Sequence, residues 1–200
     1  MKVLALGAHF DDIEVGIGGT LIQYIENGNN VYIGITNSDE FRTGEPSMRW
    51  KEQCDSIKEM GLSQDRIFRF TSECDMSRII GDLDKIEADV VYVPFWKDTH
   101  QDHVRCSRIG QAVGRKRNMD VFFYDSGSAY DFFPTLFIKI DFDKKRRLLN
   151  CFPSQINNGS VVHMKYEKRD SYIASLISDE VNIYAEGFVV RRMLYKIGGR

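Results

Sequence analysis

The sequence predicts an α/β protein of the doubly wound, Rossmann-like kind: a mostly parallel sheet of order 3-2-1-4-5 plus C-terminal additions, with helices on both faces. Three observations predict it. Short β-rich runs alternate with helical patterns along most of the chain, the signature of βαβ units joined by right-handed crossovers. Two of the runs are nearly all apolar, as suits strands buried on both faces of a parallel sheet. The 200 residues, 42% hydrophobic and 12% aromatic, can close one full core and leave little room for a second. Residues 1–200 are therefore read as a single domain.

The elements follow in order. Val3 to Gly7, Val31 to Thr36, Ile67 to Phe70, Val90 to Phe95 and Val121 to Tyr124 read as five strands. Between them, helical spacing covers about 16–27, 47–60, 76–87 and 103–117. "NGN" closes the first helix and "MGLS" the second, with glycine at the C-terminal stop. Beyond Tyr124, "DSGSAYDFFPT" reads as a loop, "LFIKIDF" as a strand, and 143–151 and 161–177 as helices. "AEGFVVRRML" fits either a strand or a helix.

Composition excludes several classes. A net charge of −2 provides no global field to recruit nucleic acid or a membrane surface. The clusters Arg115–Lys116–Arg117 and Lys144–Lys145–Arg146–Arg147 read as solvated helix faces. The four cysteines are widely spaced without a C-x-x-C pair, which argues against a disulfide framework and suits a reducing cytoplasm. The chain opens on a strand pattern rather than a signal segment, and no apolar stretch approaches the roughly 20 residues that span a bilayer. A cytoplasmic protein is expected, and assembly into a homo-oligomer stays open.

The chemistry gathers at two strand ends. "LGAHFDDIEVGIGG" (6–19) runs past the carboxyl end of strand one, and "DTHQDH" (98–103) past that of strand four. Those strands are neighbours at the topological switch point, where ligands bind in such sheets. Three of the four histidines, His9, His100 and His103, fall in these two segments. His9 and Asp12 are three apart, as are His100 and His103, so each pair can face one way from a turn. Two imidazoles and a carboxylate form a catalytic zinc set that leaves a position for water or substrate. Asp11, offset around the turn, is available to take the proton of that water. Taken alone, Asp11 or Asp12 reads as a helix N-cap and "HQDH" as a polar first turn. All four of His9, Asp12, His100 and His103 could also close a structural site.

These residues resemble a known family. "AHFDDIEVGIGG" is similar to the A-H-P-D-D-x-E-x-G signature of the PIG-L/LmbE family of zinc-dependent N-deacetylases, and "HQDH" to its H-x-D-H motif. "RWKEQCDSIKEMG" (49–61) resembles the family's R-x-x-E…G helix, with fainter echoes in "PSQI" and "YAEGF". The resemblance implies that His9, Asp12 and His103 hold the metal, zinc or else Fe²⁺ or another divalent ion. It makes Asp11 the general base. His100 becomes the residue that steadies the oxyanion or protonates the leaving amine, and Asp102 the partner that orients a histidine. Arg49 would line the substrate pocket, and Arg42, in "NSDEFRTGEPS", would grip a sugar hydroxyl or phosphate. The expected substrate is a small-molecule N-acetyl amino sugar or its glycoconjugate. Phe10 departs from the pattern, standing where the family has a proline that would hold φ at about −65°.

Two other readings compete. "GIGG" (16–19) at a helix start could cradle phosphates in a nucleotide-binding module, although its spacing is not G-x-G-x-x-G and Asp11, Asp12 and Glu14 precede it. A non-catalytic zinc-site scaffold is the other.

Overall fold

The computed structural model describes residues 1–38, 48–117 and 119–194. Seven strands form one sheet in the order β3-β2-β1-β4-β5-β7-β6. Strands β1 (Lys2–Gly7), β2 (Asn30–Ile35), β3 (Ile67–Arg69), β4 (Val90–Pro94) and β5 (Asp120–Tyr124) are parallel, in the expected order. The C-terminal additions are β6 (Leu136–Ile140) and β7 (Tyr184–Arg192). Strand β7 pairs antiparallel with β5, and β6 antiparallel with β7. "AEGFVVRRML" is thus a strand through Arg192.

Alternation along β1 shows why the sheet is buried twice over. Val3 and Ala5 face a core with Ile13, Ile17 and Leu21 of α1 (Asp12–Glu26), Ile57 of α2 (Met48–Glu59) and Leu148 of α5 (Phe142–Leu149). Leu4 and Leu6 face the opposite core, with Ile79 and Leu83 of α3 (Met76–Asp84) and Ile109 and Val113 of α4 (Gln101–Arg117). Two short elements escaped the sequence reading, a 3-10 turn at Gln64–Arg66 and α6 at Pro153–Asn157. Helix α7 (His163–Ser175) completes the chain's helices among the described residues.

The first helix differs most from expectation. It begins at Asp12 rather than near 16, and it kinks at Ile17, whose φ is −142° and ψ 15°. The kink frees backbone groups on both sides, and buried charges take them up. Glu186 of β7 accepts from Gly19 N (3.0 Å) and Thr20 N (2.8 Å), capping the second half of the helix. Arg169 of α7 donates to Val15 O (2.5 Å) and Asp125 O (3.1 Å). Lys145, fully buried, joins the two sides through Asp170 (2.6 Å) and Glu186 (2.7 Å).

The same contacts correct the phosphate-cradle reading of "GIGG". The N–H groups of Gly19 and Thr20 already serve Glu186. A Cβ on Gly16 would stand 2.2 Å from the Tyr124 ring, so glycine is there for close packing rather than for a ligand.

Candidate functional site

The turn from β1 into α1 delivers His9, Asp11 and Asp12, and the turn before α4 with that helix's first turn delivers Asp98, His100, Asp102 and His103 beside them. The switch point between β1 and β4 holds the whole set, as strand order requires.

Asp12 is the hub. Its Oδ2 accepts from the backbone N–H of Ala8 (2.9 Å) and His9 (2.8 Å), which fixes the carboxylate and explains why this aspartate does not cap the helix. The same oxygen lies 3.7 Å from His9 Nδ1, and Oδ1 lies 3.3 Å from His103 Nε2. Each imidazole is held at its other nitrogen by a second carboxylate. His9 Nε2 meets Asp102 Oδ2 at 2.9 Å, and His103 Nδ1 meets Asp98 Oδ2 at 3.0 Å. Such pairing sets the tautomer and leaves His9 Nδ1 and His103 Nε2 turned toward Asp12. The ring of His100 lies 4.7 Å from both His9 and His103.

The donor set fits a divalent cation. Two imidazole nitrogens aimed at one carboxylate, each backed by another carboxylate, supply the donors that zinc takes. His9, His100 and His103 also each offer a ligand atom, all within 4.8 Å of one another. Two triads therefore share His9 and His103 and differ in whether Asp12 or His100 is the third donor.

Electrostatics separate the two adjacent aspartates. Burial opposes ionisation of Asp12, but His103 and His9 outweigh it and hold this carboxyl far below its usual range. Burial pushes Asp11 well above that range, reinforced by the charge of Asp12 and opposed by Arg49. Burial likewise works against the His103 imidazolium, yet Asp12 and Asp98 prevail and push it up to about 10. His100 is lowered by burial and by the charges of His9 and His103.

Asp11 occupies the N-cap position of α1 but makes no side-chain capping bond. Its φ of 92° is left-handed, a conformation that costs a non-glycine residue about 1–3 kcal/mol. Arg49 stands against it, with Nη2 2.6 Å from Phe10 O and 3.4 Å from Asp11 Oδ2. Phe10, 3% exposed, packs on Trp50 of α2 at 5.9 Å between ring centroids. Its side chain therefore ties the turn to α2 through packing, where proline would restrict φ. Arg42 lies outside the described residues.

Several residues of the site were missed by sequence reasoning. Asp98, the first residue of "DTHQDH", supports His103. Ser126 and Ser128, in the loop after β5, approach His103 Nδ1 at 2.9 and 3.2 Å, and Ser128 donates to Asp98 at 2.6 Å. Their position at the end of the strand beside β4 was the available signal. Glu14, fully buried, accepts from Gln53 (2.6 Å) and Ser56 (2.7 Å) of α2, which docks the helix that carries Arg49. Burial raises the Glu14 carboxyl above its ordinary value.

Fold and site together define an α/β protein with a histidine–aspartate centre at its switch point. The PIG-L family model, described as GlcNAc-PI de-N-acetylase, matches residues 4–113, and the chain belongs to that family. Among solved structures, a conserved protein of Thermus thermophilus is similar at 25% identity and a TM-score of 0.80, over 99% of this chain and 98% of that one. The N,N'-diacetylchitobiose deacetylase of Pyrococcus horikoshii is similar at 20% identity and 0.65, over 94% and 83%. The 4-carboxy-2-hydroxymuconate hydratase of Pseudomonas putida is similar at 16% and 0.75, over 98% and 99%. The last two show a shared fold alone. That fold carries both a deacetylase and a hydratase, so side chains and not fold decide the reaction.

Proposed function

We propose that the protein is a metal-dependent N-deacetylase that hydrolyses the acetamide of an N-acetyl amino sugar or its conjugate. One observation carries the reading. Asp12, fixed by two backbone N–H groups, stands between two carboxylate-backed imidazoles, and a second aspartate beside it makes no capping bond and faces Arg49 instead.

His9, Asp12 and His103 are the proposed metal ligands; a divalent ion there, zinc first and Fe²⁺ next, would polarise the acyl carbonyl and lower the pKa of the attacking water. Asp11 is the general base. Burial favours its taking up a proton, as a base requires, and Arg49, 3.4 Å away, opposes that rise and orients the carboxylate. As the water oxygen bonds to the acyl carbon, Asp11 takes the proton. His100, the more exposed imidazole, faces the oxyanion as a donor. The C–N bond then breaks, and a proton from His100 or Asp11 goes to the amine nitrogen, giving acetate and the free amino sugar. Asp102 and Asp98 orient His9 and His103. The deacetylase likeness and the family favour a sugar amide over the hydratase chemistry of the Pseudomonas protein. The four cysteines are free thiols, consistent with a reducing cytoplasm, and no helix among the described residues is long and apolar enough to cross a membrane.

The test is metal analysis of the purified protein, followed by amine release from free, nucleotide-linked and glycosidic N-acetyl sugars. Chelation should abolish release and metal should restore it. Release that is indifferent to chelation would refute the reading.

A further inference from the structure

Away from the histidines, α4 turns a second face toward β7. Arg108, Gln111 and Arg115 recur at spacings of three and four, which places them on one stripe of the helix. Arg191 and Arg192 of β7 stand across from that stripe. Two hollows of about 500 and 400 Å³ lie between them and share Gln111 and Arg191 as walls. Arg115 and Arg192 line one, and Arg108 and Trp96 line the other.

The charge of this groove is one-sided. Among the described residues no aspartate or glutamate lines either hollow, and Arg108, Arg115 and Arg191 make no ion pair. Arg192 donates to the carbonyls of Met119 and Gly114 and pairs with no carboxylate among the described residues. Elsewhere the surface pairs its charges, as Lys97 with Asp131 and Arg147 with Glu59. Four guanidinium groups gathered in a chain whose net charge is −2 focus a positive field that a polyanion would relieve. The net charge excludes a global field, not a local one.

Two features narrow the anion. Guanidinium forks match phosphate oxygens, and seven residues separate Arg108 from Arg115, about 10 Å along the helix, room for several phosphates. At the Arg108 end stands Trp96, 39% exposed. Its ring is held by Phe95 and Phe123, at 4.1 and 4.6 Å between centroids. A rigid, half-open indole beside a phosphate clamp is a platform for a base.

We propose that the α4–β7 groove binds a nucleoside polyphosphate, with its base on Trp96 and its phosphates between Arg108, Arg191 and Arg115. This site is separate from the histidine centre and does not depend on the reaction carried out there.

The chain has two tryptophans, so Trp50→Phe leaves Trp96 as the reporter. ATP titrated into this variant should quench Trp96 fluorescence saturably. Tripolyphosphate should bind calorimetrically and displace ATP without quenching, and AMP should bind at least tenfold more weakly than ATP. Arg108→Ala with Arg191→Ala, both exposed positions, should weaken ATP at least tenfold at an unchanged melting temperature. Absence of saturable quenching, or ATP affinity unaltered in the double variant, overturns the proposal. So does a groove occupied by a second copy, seen in sedimentation as a dimer that Arg191→Glu dissociates.

Discussion

Lys145→Met tests the buried charges that splint the kink of α1. The ammonium is fully buried, as is Asp170, and Glu186 is 1% exposed. Methionine matches the stem, so the perturbation is mainly loss of two short charged hydrogen bonds, at 2.6 and 2.7 Å. Such bonds contribute about 1.5–3 kcal/mol each, and breaking a buried pair by removing one partner costs about 3–5 kcal/mol. Asp170 keeps Arg169 at 3.0 Å, and Glu186 keeps Gly19 and Thr20. The expected loss therefore lies toward the lower end, about 3–4 kcal/mol, or a fall in melting temperature of about 10 °C for a chain of this size. Urea unfolding followed by circular dichroism measures it. Adding Glu186→Gln should cost much less than the sum of the single losses, because the pair shares one network. A Lys145→Met protein within about 1 kcal/mol of wild type at an unchanged m-value would refute the reasoning.

Other outcomes follow from the site and the core. Asp98→Asn should weaken metal binding about 10–100-fold by calorimetry, since it loosens the partner that sets the His103 tautomer; unchanged affinity would remove Asp98 from the site. Asp11→Gly should raise the stability of the metal-free protein by about 1 kcal/mol, because glycine accepts the left-handed φ of 92° that strains aspartate; a melting temperature at or below wild type would deny the strain. Burial pushes the Cys106 thiol up to about 12 and Cys151 up to about 11. Both folded values lie above the unfolded one, so stability is full below about pH 9 and declines as the unfolded thiols ionise first above it. Cys106→Ala should flatten that decline, and Cys106 should resist alkylation at pH 8 until urea is added.

Much of this architecture was legible in the sequence because its causes are local. The continuous apolar runs of β1 and β4 require burial on both faces, and their order follows from crossover handedness. His9, Asp12, His100 and His103 stood out because polar clusters at strand ends are unusual and because two such ends adjoin at the switch point; only the family resemblance picked three of them as metal ligands. What remained hidden depends on tertiary contact. The backbone groups freed at the Ile17 kink are met by Glu186 and Arg169, which lie far along the chain. Asp98 and Ser128 act through His103, so no spacing reveals them. Asp11 reads as a helix cap until its left-handed φ turns the side chain away. Phe10 breaks the family pattern at the level of sequence, and its burial against Trp50 shows what that side chain does.

The central claim is tested most directly by Asp11→Asn. This change keeps the size and polarity of the side chain and removes its capacity to accept a proton. The variant should still bind one equivalent of metal through His9, Asp12 and His103, while acetate release falls by about 10²–10⁴-fold, the scale of a lost general base. Acetate release within tenfold of wild type, at full metal occupancy, would contradict it.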